Sequence, residues 1–110
     1  MELMAGNGRN VPLWKKFFTD VTIIDGAQKN FDVCEQDCHK ICSDVTNYEY
    51  NTDTYDCFTG VWCLGYLDKD KEWSLMLDKI HASLKPDGKL ILVEATLRNR
   101  GHGVSTVDSY

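Results

Sequence analysis

The chain has 110 residues, 43% of them hydrophobic, which fits one folded domain rather than a disordered segment. Its net charge of -5 excludes a sequence-independent nucleic-acid binder, because such a protein needs clustered Lys and Arg to displace counterions. The chain has five cysteines in no disulfide pattern, no long apolar run and no signal peptide. These features predict a cytoplasmic or nuclear protein without a membrane partner.

The first half of the chain predicts short elements separated by turns. Apolar residues at helical spacing predict a helix of about ten residues, with Pro12 in its first turn. Residues 21–24 are mostly β-branched and predict a buried strand. Residues 27–39 have only weak helical character, and residues 40–43 predict another short strand.

The second half predicts a strand, a helix and a further strand. A strand is expected over residues 55–62 and an amphipathic helix over 70–84. A tight turn over 85–88 precedes an apolar strand over 89–94. Strands that alternate with helices predict an α/β domain spanning 1–110, with a mostly parallel sheet covered on both faces.

Three residues at predicted strand ends point to a nucleotide-like ligand, since ligands of such sheets bind at the carboxyl ends of the strands. Gly6 and Gly8 precede a helix and let the backbone approach a ligand closely. Asp25 follows the next strand, where a carboxylate can accept hydrogen bonds from both hydroxyls of a ribose. A tight turn or a capping aspartate would explain either feature alone, but together they predict nucleoside binding. A nicotinamide dehydrogenase is less favoured, because the glycines do not continue as Gly-x-Gly-x-x-Gly.

Four motifs, in order, resemble those of class I S-adenosylmethionine-dependent methyltransferases. They are Gly6-Asn7-Gly8-Arg9, Ile23-Ile24-Asp25, Tyr55-Asp56-Cys57-Phe58 and Leu84-Lys85-Pro86-Asp87-Gly88-Lys89-Leu90. The resemblance implies a Rossmann-like methyltransferase fold with S-adenosyl-L-methionine as cofactor. In such enzymes the glycine loop passes under the methionine part of the cofactor and the acid after the second strand holds the ribose. The cofactor-binding residues implied are Gly6, Gly8, Arg9, Asp25, Thr46 and Asn47.

A closer resemblance is to the protein N-terminal (alpha-N) methyltransferases, which methylate the amino group of proteins beginning Xaa-Pro-Lys. It rests on Asp53-Thr54-Tyr55-Asp56, on Trp62-Cys63-Leu64-Gly65-Tyr66-Leu67 and on the Val-Asp-Ser segment at 107–109. It implies that Trp62 and Tyr66 contact a protein or peptide N-terminus. It also implies that Asp108 is the catalytic carboxylate that takes a proton from the substrate amine.

Departures from the family pattern keep a second function open. Met4 stands where the first loop glycine is usual, and Ala95 where the family has a catalytic asparagine. Val61 and Tyr66 replace a glutamine and a histidine. The alternative is a catalytically inactive methyltransferase-like subunit with a structural or regulatory role in an assembly. Most of the first strand and the last two strands are expected to be missing, so that the chain is a fragment or a reduced paralogue. A protein partner would then complete the sheet.

The remaining chemically distinctive residues have ordinary explanations. Cys34, Cys38, Cys42 and the neighbouring His39 do not follow the paired spacing of zinc sites, and no metal site is predicted. Trp14 and Trp73 lie on apolar helix faces and are expected in the core.

Overall fold

The computed structural model describes residues 1–96 and 101–108. Two compact units divide the chain, Met1–Tyr48 and Glu49–Tyr110. The elements in chain order are β1 (Glu2–Leu3), α1 (Val11–Trp14), β2 (Thr22–Asp25), α2 (Gln28–Asp32), β3 (His39–Cys42), β4 (Tyr55–Val61), a 3-10 helix (Leu64–Tyr66), α3 (Trp73–Ser83), β5 (Leu84–Thr96) and β6 (Gly101–Asp108). None of the helices in the described residues has the length and apolar character needed to cross a membrane.

The first unit contains three parallel strands in the order β3-β2-β1. Leu3 pairs with Ile24, and Asp25 pairs with Cys42. The unit's buried core consists of Ala5, Val11, Val21, Ile23 and Phe31. Because the strands are parallel, the loops that follow β1, β2 and β3 lie at the same edge. The predicted candidate residues of the first unit all lie on these loops or at the end of β2.

Helix α1 is shorter than the sequence predicted, with four residues instead of about ten. After it the amide nitrogens of Lys16 and Phe17 donate to carbonyls three residues earlier, so the chain continues as tight turns. Leu13 and Phe17 are 45% and 71% exposed. Their apolar side chains contributed to the helical pattern, but they do not pack against the core that would stabilise a longer helix.

The second unit is built on two parallel strands and one antiparallel strand. Strand β4 pairs with β5 from Phe58 opposite Leu90 to Val61 opposite Val93. Strand β6 runs antiparallel to β5, with Val104 opposite Val93. No strand was predicted after β5, and β6 corrects that expectation. The segment is polar and glycine-containing, so it lacked the apolar alternation from which strands are predicted.

The turn predicted over residues 85–88 is part of β5 in the structure, as a bulge. Two steps along β4, from Tyr55 to Cys57, correspond to five along β5, from Leu84 to Lys89. A Cβ on Gly88 would lie 2.7 Å from a methyl carbon of Leu84 and 2.9 Å from the carbonyl oxygen of Lys85. Only glycine fits this position, which explains its place in the motif.

Candidate functional site

The loop after β1 contains both predicted glycines, and both have a left-handed backbone, with φ of 61° at Gly6 and 79° at Gly8. A Cβ on Gly8 would lie 2.9 Å from the sulfur of Cys34, so this glycine is required by close packing. A Cβ on Gly6 would have no heavy atom within 4 Å. The loop is therefore packed tightly on one side at Gly8 and open beside Gly6.

Met4, the residue that replaces a family glycine, also has a left-handed backbone, with φ of 50°. A residue with a Cβ pays about 1–2 kcal/mol in this conformation. The loop thus keeps the conformation that a glycine would favour, although a larger side chain is present. Met4 therefore puts backbone strain at the start of the loop.

Asp25 connects the end of β2 to the glycine loop. One carboxylate oxygen accepts from the backbone nitrogen of Gly6 at 2.9 Å. The other accepts from the backbone nitrogen of Ala27 at 2.9 Å and from the side-chain amide of Asn30 at 3.1 Å. The residue is only 9% exposed. A carboxylate has about four acceptor positions. Donors among the described residues take three of them, so about one is left for a ligand hydroxyl.

Glu2 is a second buried carboxylate next to the loop, and the sequence analysis did not identify it. The side chain is almost fully buried. Oε2 accepts from the side-chain amide of Asn10 at 3.1 Å, and Oε1 has no hydrogen-bond partner among the described residues. Burial raises the pKa of Glu2, while the hydrogen bond from Asn10 lowers it. The indole Nε1 of Trp14 is also buried and has no hydrogen-bond partner in the same part of the chain. The signal in the sequence that could have identified Glu2 as a site residue is its position just before the glycine loop.

The other predicted cofactor residues lie on the loops after β1 and β3. Arg9 is exposed. The backbone nitrogens of Thr46 and Asn47 donate to one oxygen of the Asp44 side chain, at 2.7 and 3.4 Å. Thr46 is buried and Asn47 is exposed. Asp44 therefore fixes the turn that holds both residues.

The loop after β4 contains the two predicted substrate residues. Trp62 has a φ of 51° and is 47% exposed, and Tyr66 is 81% exposed. The backbone nitrogen of Trp62 donates to the carbonyl oxygen of Val93 at 2.7 Å. A left-handed tryptophan persists only where its surroundings enforce it, and such strain is common at functional sites.

Glu94, at the carboxyl end of β5, holds this loop. Its Oε1 accepts from the backbone nitrogens of Cys63 and Leu64, both at 3.1 Å. The indole nitrogen of Trp73 donates to the carbonyl oxygen of Leu64 at 3.0 Å. Trp73, predicted as a core residue, is half-buried and supports the loop. This role of Glu94 was not predicted from the sequence, because nothing in its spacing signals a bond to residues 30 or 31 positions away.

The backbone of the predicted base Asp108 lies further along the sheet of the second unit than the loop that contains Trp62 and Tyr66. Its backbone pairs with Lys89, whereas the residue paired with Val93 is Val104. Four residues along a strand correspond to roughly 13 Å. The structure brings Trp62 and Tyr66 into one loop and does not place the Asp108 backbone beside them.

The cysteines do not form a metal cluster. Within residues 1–96 and 101–108, no group of three or more His, Cys, Asp or Glu side chains could hold a metal ion. Cys34 and Cys38 face the same carbonyl oxygen, that of Gln36, whereas the Cys42 thiol donates to the carbonyl oxygen of Gly26.

Comparison with known proteins identifies the protein family to which the chain belongs. A family profile described as a methyltransferase domain matches residues 1–92. The chain belongs to this methyltransferase domain family. A comparison with curated protein sequences finds no match.

Solved structures confirm the predicted Rossmann-like methyltransferase fold. The PH0226 protein of Pyrococcus horikoshii is similar with a TM-score of 0.79 and 19% identity, over 89% of this chain and 49% of that one. A phosphoethanolamine N-methyltransferase of Haemonchus contortus, solved with phosphoethanolamine and S-adenosylhomocysteine, has a TM-score of 0.79 and 19% identity, over 87% and 22% of the two chains. An S-adenosylmethionine-dependent methyltransferase of Mesorhizobium loti has a TM-score of 0.74 and 15% identity, over 86% and 45%. The chain thus spans half or less of these proteins.

Proposed function

We propose that the chain binds S-adenosyl-L-methionine in its first unit and serves in methyl transfer. The observation that carries the proposal is the buried Asp25 carboxylate, which orders the glycine loop through the Gly6 amide and keeps about one acceptor position. The methyltransferase family membership and the S-adenosylhomocysteine bound to the Haemonchus protein agree with this cofactor.

The residues of the first unit fit the cofactor in three respects. Glu2 Oε1, which has no hydrogen-bond partner among the described residues, is a buried acceptor suited to the ammonium of the methionine part. The space beside Gly6 admits a ligand against the backbone. Asp25 is suited to a ribose hydroxyl. Arg9 would bind the carboxylate of the methionine part, and Thr46 and Asn47 would line the adenosine side from the turn after β3. These assignments give a role to five of the six cofactor residues expected from the family resemblance, and Gly8 contributes by its close packing against Cys34.

The chemistry requires little beyond binding and orientation. S-adenosylmethionine supplies an activated methyl group on a sulfonium. The chain's residues must hold a nucleophile in line with that group, which removes most of the entropic cost of the encounter. An amine nucleophile must also be neutral, and a nearby carboxylate can remove its proton.

The proposed methyl acceptor is the alpha-amino group of a protein or peptide N-terminus. Two exposed aromatic side chains on one braced loop, Trp62 and Tyr66, support an acceptor with an extended apolar or cationic surface. Asp108 stays the proposed base, as the family resemblance implies. The proposed place of action is the cytoplasm or the nucleus.

The test has two stages. Calorimetric titration with S-adenosylhomocysteine measures cofactor binding, and mass spectrometry of a peptide beginning Xaa-Pro-Lys measures transferred methyl groups. Asp108→Asn should lower kcat by about 10²- to 10⁴-fold and leave cofactor affinity unchanged, if Asp108 is the general base. Full methylation by this variant would remove Asp108 as the base and keep the enzyme.

Two observations favour a second function. Met4 has a strained backbone, and the Asp108 backbone pairs with Lys89, away from the loop that contains Trp62 and Tyr66. A methyltransferase-like subunit without activity would tolerate both, and it would have a structural or regulatory role in an assembly. Cofactor binding without methylation by the wild-type chain would support this function over the first.

A further inference from the structure

Two cysteine side chains converge beside the glycine loop. The thiols of Cys34 and Cys38 both donate to the backbone carbonyl oxygen of Gln36, at 4.0 and 3.8 Å. The chain between them turns around Gln36, outside any helix or strand. Both side chains are half-buried and pack against the core of the first unit. The two thiols are therefore neighbours that a small reagent can reach.

The surroundings of Cys38 contain opposing influences on its thiol. Burial raises the pKa of Cys38, and the neighbouring Cys34 raises it further by charge repulsion, while Lys40 and Lys15 lower it. The ammonium of Lys40 donates to the same Gln36 carbonyl oxygen at 3.0 Å. A cation at this position stabilises a thiolate when one forms during reaction.

We propose that Cys34 and Cys38 form a reversible disulfide, and that this bond alters the glycine loop. A disulfide needs two side chains that converge and backbone positions within about 7 Å. Two thiols that share one acceptor meet the first condition. The segment between them lies outside any helix or strand, so its backbone can adjust to meet the second condition.

The reaction with glutathione disulfide balances in two steps. One protein thiol gives its proton to solvent, and its thiolate attacks a glutathione sulfur. The S–S bond of the reagent breaks, and the released glutathione thiolate takes up a proton. The second protein thiol gives its proton to solvent, and its thiolate attacks the protein sulfur of the mixed disulfide. The bond to glutathione breaks, and the expelled glutathione thiolate takes up a proton. Two protein thiols are oxidised and one glutathione disulfide is reduced to two glutathione molecules.

The link to the loop is the packing between Cys34 and Gly8. The Cys34 sulfur lies 2.9 Å from the position of a Cβ on Gly8, so the sulfur closes the space on that side of the loop. A covalent bond to Cys38 ties this sulfur to another part of the backbone and changes the packing under Gly8. This half of the proposal rests on the proposed cofactor site.

The other cysteines supply matched controls. Cys42 is exposed and donates to the carbonyl oxygen of Gly26 at 3.8 Å. Cys57 and Cys63 are buried and belong to the second unit. Cys42→Ser therefore removes the most accessible thiol without touching the pair.

The experiment exposes the full chain to glutathione disulfide, alkylates the remaining thiols and maps peptides by mass spectrometry. We expect a Cys34–Cys38 cross-link in the wild type and in Cys42→Ser, and none in Cys34→Ser or Cys38→Ser. S-adenosylhomocysteine should bind the oxidised chain at least about threefold more weakly than the reduced one, and dithiothreitol should restore the affinity.

Two results would overturn the disulfide or its link to the loop, and a third would separate the failure of the proposed function from both. A missing cross-link, or one that joins other cysteines, contradicts the disulfide. A Cys34–Cys38 cross-link with unchanged ligand affinity contradicts the link to the loop. If the reduced chain binds no S-adenosylhomocysteine, the proposed function fails, whereas an observed cross-link still supports the modification site.

Discussion

The loops after β1 and β4 are built in the same way. Each begins with a non-glycine residue in a left-handed conformation, Met4 at φ 50° and Trp62 at φ 51°. Each is held by a carboxylate at the end of the neighbouring parallel strand, Asp25 for the first loop and Glu94 for the second. In both loops, a strained backbone after a strand is thus stabilised by a carboxylate that accepts hydrogen bonds from backbone N–H groups.

The two loops differ in what they leave open. Asp25 is buried and has three donors, and the space beside Gly6 is open at the backbone. Glu94 is half-buried and has two donors, and its loop presents the aromatic side chains of Trp62 and Tyr66. A rigid loop with exposed backbone suits a cofactor of fixed structure, and an aromatic loop suits a variable acceptor. The variants below test this division.

Asp25→Ala should have the largest effect. It leaves the Gly6 amide, the Ala27 amide and the Asn30 side chain without their acceptor, and a hydrogen bond to a charged group contributes roughly 1.5–3 kcal/mol. The free energy of unfolding should fall by at least about 3 kcal/mol in urea denaturation, given that the three bonds are not fully additive. Asp20→Ala removes the same charge from an exposed position and should change the stability little. Equal stability of the two variants would show that Asp25 does not hold the loop.

These contacts also mark the limit of what the sequence could predict. The glycine loop and Asp25 were predictable, because loops at strand ends have glycines and acids with a known spacing. The bonds of Glu94 to Cys63 and Leu64 were not, since they join distant positions through one side chain and the backbone. Strand β6 was missed for lack of an apolar alternation, and α1 was overestimated because exposed Phe17 completed its helical pattern.

Glu94→Ala should have a smaller effect, confined to the second loop. The variant loses two hydrogen bonds from a half-buried carboxylate, and the unfolding free energy should fall by about 1–3 kcal/mol. Glu94→Gln keeps an acceptor oxygen and should lose less. Acrylamide quenching of tryptophan fluorescence, compared with a Trp62→Phe variant that identifies the Trp62 signal among the three tryptophans, reports the loosening of this loop. Unchanged quenching in the alanine variant would contradict the role given to Glu94.

Replacement of Met4 measures the strain at the start of the first loop. Met4→Ala shortens the side chain and keeps the left-handed penalty, whereas Met4→Gly removes that penalty. The glycine variant should be more stable than the alanine variant by about 1–2 kcal/mol in thermal or urea unfolding. A glycine variant that is less stable than the alanine variant would show that the loop is not strained at this position.

Glu2→Gln should have the smallest effect, and that effect depends on pH. Burial raises the pKa of Glu2 above its usual 4.5, so the folded state favours the protonated form. The contribution of this group to stability is fully present below the unfolded pKa and is lost as the pH rises through the higher folded pKa. The difference in Tm between the glutamine variant and the wild type should therefore shift in favour of the variant from pH 4 to pH 7, as scanning calorimetry would show. A difference independent of pH would contradict the raised pKa.

The division between the two loops is tested most directly by titrating S-adenosylhomocysteine into the wild type, Asp25→Ala and Glu94→Ala in a calorimeter. Wild type should bind, and Asp25→Ala should bind at least about tenfold more weakly, the factor that corresponds to 1.4 kcal/mol. Glu94→Ala should bind as the wild type does, because its loop is assigned to the acceptor. If Asp25→Ala binds as well as the wild type, or both variants lose affinity equally, the cofactor site is not the loop that Asp25 holds.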